Sequence, residues 1–245
     1  DSYIEKAALE FLDDAAKGVL RDVSWIDPNF VELKVLDPNS SDDHPPSDVR
    51  AGQALVLETY EALLNSRDWA DTLLIVTYDE HGGFYDHVIP PPVPAGDPGK
   101  YETLGVRVPA LVIGPGVKQG ACHQVFEHTS LIATILRRFA KDPDSAIAKM
   151  PERVRRAPHL GVVLEDEPRP EALDRERLQA QVDQVREQLT CWGLRARGRR
   201  GARRGRPSPE VDGGAGQQQE LLDWQEEILG AGLRMRQEGL PPGQP

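Results

Sequence analysis

Cysteine, methionine and aromatic residues are scarce in this 245-residue chain: two Cys, two Met, and 6% Phe, Trp and Tyr together. Two cysteines, Cys122 and Cys191, make neither a disulfide scaffold nor a thiolate metal cluster. They are open to pairing or to standing as buried free thiols. No run of apolar residues approaches the length of a membrane-crossing helix, so none is expected. Net positive charge is lacking too. The 29 Lys and Arg residues face 40 Asp and Glu, leaving −11, which argues against nucleic-acid binding through the overall field. No Gly-x-Ser-x-Gly elbow occurs, so a hydrolase triad of that type has no support. Rossmann and P-loop spacings are absent as well. The chain opens on Asp1 without Met or a signal peptide, and the expectation is that it starts inside a longer catalytic domain.

What is present has the order of an α/β protein. Residues 3–19 carry apolar positions at helical spacing. Val23–Ile26 reads as a short strand stopped by Asp27-Pro28-Asn29. A polar, proline-bearing loop over 33–47 holds Asp42-Asp43-His44-Pro45-Pro46. Asp48 is a candidate cap for a helix running to about Asn65, and Trp69 is expected to pack where that helix turns back. Thr72–Tyr78 is the clearest strand. Its consecutive Leu73, Leu74, Ile75 and Val76 suit a parallel strand buried on both faces. After a Pro- and Gly-rich loop, Val108–Ile113 reads as a second central strand. A helix follows, capped near Thr129 or Ser130, with Leu131, Ile132, Ile135, Leu136 and Phe139 on its apolar side.

Three segments follow from this pattern. Residues 1–140 read as part of a catalytic domain. Residues 141–216 read as a polar, partly disordered linker with a charged helix over 171–190 and seven arginines between Arg195 and Arg206. Residues 217–245 read as an amphipathic helix and tail, a candidate docking element for a partner.

Chemistry concentrates where the apolar run ends, in Asp79-Glu80-His81-Gly82-Gly83. A strand of an open sheet delivers ligands at its carboxyl end, and small residues let the loop turn there. Hard divalent ions take carboxylate oxygens, and zinc accepts them as well. Asp79 and Glu80 are therefore candidate metal ligands, with Glu80 alternatively holding a histidine in place. His81 is a candidate ligand or orienting group. Gly82 and Gly83 point to a tight turn with positive φ. Phe84 and Tyr85 are expected to pack under the loop, and Asp86-His87 to hydrogen-bond at the surface. His44 lies in a loop with little reason to exist unless it lines a site; it is a candidate to stabilise a phosphoryl group or protonate a leaving alkoxide. His128, at a helix start, is a candidate supporting group. His123 and His159 are read as peripheral.

The blocks DVSWIDPNF, DDHPPSDVRAGQALV, TLLIVTYDEHGGFYDHVIPP, LGVRVPALVIGPGV and HQVFEHTSLIATILRRF resemble, in order, the C-terminal half of the bacterial phosphoesterase family. That family holds phosphatidylcholine-type phospholipases C, related acid phosphatases and plant non-specific phospholipases C. The resemblance covers roughly residues 1–140. It implies a three-layer, alkaline-phosphatase-like α/β/α sandwich lacking its N-terminal portion, and metal-dependent hydrolysis of a phosphate monoester or phospholipid-type diester. By motif position it implies Asp79 and Glu80 as acids of a divalent-metal site, His44 as the histidine at the phosphoryl and leaving group, and subsidiary roles for His81 and His128. It implies a Glu-Asn metal pair and a Ser or Thr nucleophile upstream of Asp1; Thr129 and Ser130 are not substitutes. It also suggests secretion or a periplasmic location, with transient membrane-surface contact. The pattern does not select among Ca, Zn, Mg and Fe, nor between phospholipase C and phosphatase. The competing readings are a sulfatase- or phosphomutase-like enzyme and a catalytically incomplete fragment acting as an interaction module.

Overall fold

The computed structural model describes residues 3–29, 40–45, 47–93 and 102–191. The arginine-rich segment, the helix expected over 217–237, and residues 33–39 and 46 of the loop expected over 33–47 lie outside them. Contacts divide the chain into two units: Asp1–Lys118 with His123–Arg175, and Gln119–Cys122 with Glu176 onward.

The first unit begins with helix α1 (Tyr3–Lys17). Gly18, at φ +66°, ends it, and the N–H groups of Gly18 and Val19 return to the Ala15 and Asp14 carbonyls; an L side chain would be strained there. Val23–Ile26 does not form the expected strand, and Trp25 is 71% exposed. β-branched composition does not make a strand without a partner to accept its backbone bonds. Helix α2 (Arg50–Asn65) packs against α1 and buries Leu57, Leu63 and Leu64. Its N-cap is Val49, which makes no side-chain cap. Asp48 supplies the missing acceptor, taking the Arg50 N–H at 3.0 Å and the Arg50 guanidinium. Trp69, in a 3-10 turn (Trp69–Asp71), is buried, meets Tyr60 edge to face at 5.6 Å and donates its indole N–H to Ala172 O at 2.9 Å. Burial pushes the Tyr60 hydroxyl up to about 12.

Strands β1 (Leu74–Thr77) and β2 (Ala110–Ile113) form a two-stranded sheet among the described residues. They pair antiparallel, Leu74 opposite Ile113 and Thr77 opposite Ala110, which corrects the parallel expectation. A parallel pair needs a crossover, usually a helix. The described part of the 78–109 connection contains no helix, so the chain returns beside β1 in the opposite sense. Every β1 residue is half-buried rather than buried on both faces. β2 ends at Gly114, where a Cβ would collide with the Thr72 carbonyl oxygen.

Helix α3 (His128–Phe139) is capped by Glu127 rather than Thr129 or Ser130. The buried Ser130 hydroxyl instead accepts the Glu127 N–H at 3.1 Å. Its packed side is only partly the expected one: Leu136 flanks the core and Leu131 and Ile135 are half-buried, but Ile132 and Phe139 are exposed, and Ala133 joins Ile147, Val154 and Ala157 in the core, with Met150 beside them. The residues covering it come from α4 (Pro143–Ala148) and α5 (Glu152–Arg156), followed by a 3-10 turn at Leu160–Val163. Short helices thus occupy much of 141–170, whose polar composition hid a few well-spaced apolar residues. Thr134 fastens the turn by accepting the Leu160 N–H at 2.9 Å. Helix α6 (Pro170–Leu173) brings the Ala172 carbonyl to Trp69. The mixture of helices and a small sheet accords with the α/β class.

In the second unit, α7 (Arg175–Cys191, beginning at the unit boundary) buries Leu178, Val182, Val185 and Leu189 at helical spacing. Cys122 and Cys191 are free and exposed, not buried. No helix among the described residues is long and apolar enough to cross a membrane.

Candidate active site

The carboxyl end of β1 opens onto a cleft of about 1830 Å³ lined by His44, Tyr78, Asp79, Glu80, His81 and His128 among others. The apolar strand stops at Thr77, and the next three residues take up separate tasks. The Tyr78 carbonyl accepts the His128 Nε2–H at 2.8 Å, so the first residue of α3 is tied to the end of β1. Asp79 Oδ1 accepts the Glu80 N–H at 2.9 Å. Glu80 Oε2 accepts the Gly82 N–H at 2.9 Å. Gly82 and Gly83 follow with φ of +63° and +80°, the positive values expected for a turn this tight. His81 Nδ1 bonds the Phe84 carbonyl at 3.1 Å, within its own loop.

The loop before α2 meets this turn. A Cβ at Gly82 would lie 3.1 Å from Pro45 Cδ. His44 Nε2 stands 3.3 Å from Glu80 Oε1, and His44 Nδ1 is 2.8 Å from the Pro45 carbonyl oxygen. Both ring nitrogens therefore face acceptors, an arrangement that the imidazolium satisfies with two N–H groups. The structure brings His44 to Glu80. Among the described residues, no hydrogen bond or ion pair joins His44 to Asp79.

Three contributors were not evident from the sequence. Asp43 is half-buried, and its Oδ2 accepts the Tyr78 hydroxyl at 2.8 Å and the Gln53 amide at 3.3 Å. Burial raises its carboxyl above the ordinary value, against the lowering effect of those two bonds. Burial, and then the neighbouring Asp43, pushes the Tyr78 hydroxyl well above the usual phenol range, keeping it a donor. The doubled acid before His44 was the available signal, but adjacency does not reveal which carboxylate turns inward.

Phe84 and Tyr85 do not pack under the loop; they are 68% and 90% exposed, because the glycine turn carries them outward. Asp86 accepts the Val88 N–H and the Arg107 guanidinium. The Arg107 bond holds the Asp86 carboxyl below the usual range. His123 is exposed, and His159 accepts the Gly161 N–H at 3.1 Å, capping its own turn.

The model of the Phosphoesterase family matches residues 2–140. The chain belongs to the phosphoesterase family. This phosphoesterase chain is 45% identical over 150 residues to "Non-specific phospholipase C6" of Arabidopsis thaliana, a match covering 54% of the chain and 28% of that protein. It is 40% identical over 151 residues to "Non-specific phospholipase C1" of the same plant, with the same coverage. Against "Phospholipase C B" of Mycobacterium tuberculosis it is 36% identical over 151 residues, covering 54% of the chain and 27% of that protein. The matched stretch thus spans little more than a quarter of these relatives.

A protein-bound divalent ion takes at least four donors, often six or more. Among the described residues, no group of three or more His, Cys, Asp or Glu side chains is placed to hold an ion. Asp79 and Glu80 each have an oxygen bonded to a backbone N–H. The described residues do not form a complete metal centre.

Proposed function

We propose that this chain forms one wall of the active site of a phosphoric-ester hydrolase of the phospholipase C or phosphatase type. The observation that carries the reading is the His44–Glu80 contact at the carboxyl end of β1, at 3.3 Å, in a chain whose family relatives are named phospholipases C. The substrate is a phosphate monoester or a phospholipid-type diester. His44 is the general acid: as the bond between phosphorus and the leaving oxygen breaks, that oxygen takes the Nε2 proton and leaves as the alcohol. Pro45 O fixes the ring through Nδ1, and Glu80 steadies the protonated ring. His128 and His81 hold the surrounding loops. Asp79 and Glu80 are donors to a divalent cation whose other ligands lie outside the described residues. The hydroxyl nucleophile lies upstream of this chain. Exposed Phe84 and Tyr85 beside the site suit a brief contact with a lipid surface.

A second reading, a catalytically incomplete module acting through protein interaction, draws on the incomplete donor set. Assays separate the two. Hydrolysis of p-nitrophenyl phosphate and of phosphatidylcholine vesicles is measured with a polypeptide that carries the proposed upstream nucleophile, after chelation and after adding back Ca, Zn, Mg or Fe. Calorimetry follows cation binding by the chain and by Asp79→Asn. The hydrolase reading expects turnover restored by one cation, and cation binding lost in a folded Asp79→Asn. Unchanged binding in that variant removes Asp79 as a ligand; no turnover with any cation favours the module.

A further inference from the structure

We infer that Asp43 is a positioning residue for His44, pinning the histidine's loop to the end of β1 and to α2. The inference rests on the role proposed for His44. That side chain is 61% exposed, so close packing does not hold it; its placement depends on how its loop is anchored. The His44 backbone N–H reaches Asp42 Oδ1 at 2.8 Å, a bond internal to the loop that fixes nothing outside it. Ser40 and Ser41 bond back to Asn29 at the other end of the loop; the hydrogen bonds to the end of β1 and to α2 are made by Asp43. Its Oδ2 takes the Tyr78 hydroxyl at 2.8 Å, from the residue directly before Asp79, and the Gln53 amide at 3.3 Å, from the first turn of α2.

The other oxygen of Asp43, Oδ1, is enclosed and has no hydrogen-bond partner. It faces Gly52: a Cβ at that position would collide with it and lie 3.0 Å from the Ser41 carbonyl oxygen. Gly52 therefore provides the space that lets the carboxylate turn inward. A buried acceptor without a full complement of donors is costly, and here it coincides with the anchor of a loop carrying a functional histidine. Tyr78 completes the link. Its hydroxyl holds Asp43 while its carbonyl takes the His128 N–H, so one residue locates both the His44 loop and the start of α3.

The test uses the full chain and reads the His44 ring by NMR, which needs no turnover. Glu80→Gln is introduced into wild type, Asp43→Ala, Asp43→Asn and Tyr78→Phe. In wild type the change moves the His44 ring signals because the two side chains touch. Asp43→Asn, with its amide oxygen in the place of Oδ2, keeps an acceptor for both the Tyr78 hydroxyl and the Gln53 amide, so the response is retained. In Asp43→Ala and Tyr78→Phe the response is lost. An equal response in all four backgrounds overturns the inference. If Asp43→Ala does not fold, Tyr78→Phe and Asp43→Asn decide the matter. In the hydrolysis assay, Asp43→Ala lowers kcat by about 10- to 100-fold, the scale of an ångström-sized misplacement, with KM little changed and activity rescued by Asp43→Asn. Absence of turnover in wild type counts against the proposed reaction; the NMR comparison still decides the role of Asp43.

Discussion

Glu80→Gln separates charge from architecture at the site. At 3.3 Å from His44 Nε2, a full charge pair is worth about 1.3 kcal/mol in bulk water and about 5 kcal/mol at an effective dielectric of 20. The side chains are 61% and 46% exposed, so the watery limit governs. Exposed pairs of this kind contribute about 0.2–1 kcal/mol to stability. The Gln amide oxygen can still accept the Gly82 N–H, now held at 2.9 Å, so the turn persists. The expected change in folding stability is therefore below about 1 kcal/mol, read as a small shift in urea midpoint at constant m. Activity behaves differently. If Glu80 keeps His44 poised as a general acid, removing the charge forfeits much of a factor of about 10²–10⁴, and kcat falls while KM holds. Wild-type kcat in a folded Glu80→Gln would refute the assignment. A large fall in the urea midpoint would show instead that Glu80 is chiefly a structural brace.

Two further predictions concern the frame. Trp69→Phe keeps most of the buried ring but strands the Ala172 carbonyl, now bonded at 2.9 Å; the expected loss is about 1–3 kcal/mol, measured by equilibrium unfolding. Asp48→Asn tests a pH-dependent cap. Hydrogen bonds from the Arg50 side chain hold the Asp48 carboxyl below its ordinary 3.8, so its stabilisation is present above that value and disappears as pH falls through the depressed one. With Asp48 54% exposed, wild type should exceed the variant by no more than about 1 kcal/mol at pH 6. The difference should close below pH 3.8 in thermal melts; a gap independent of pH would remove Arg50 as the cause.

Helices that bury a one-sided stripe were legible from periodicity: α1 and α2 lie close to where the apolar spacing puts them. The strands were legible as apolar runs, but their direction was not, because Leu74–Val76 reads identically in parallel and antiparallel pairs. The side of α3 that packs was legible at Leu136 but not at Ser130 and Ala133, because close approach by α4 and α5 selects small residues over large ones. The glycine turn after Glu80 was legible from Gly82-Gly83, as the positive φ values require. The meeting of His44 with Glu80 depends on two loops separated by 35 residues that include α2 and β1, and no local pattern encodes it. Asp43 escaped notice for a related reason: an inward-turned acid is recognised by its distant donors, Tyr78 and Gln53, and by the missing side chain of Gly52.

Tyr78 has a consequence for how this family is dissected. Its side chain and its main chain serve different clients, so a library of amino-acid replacements samples only one of its two jobs. Phenylalanine severs the phenolic tether and leaves the peptide oxygen untouched. Reaching the other tether requires altering His128 or swapping the peptide link for an ester. A tolerant score at position 78 would therefore understate what the residue organises.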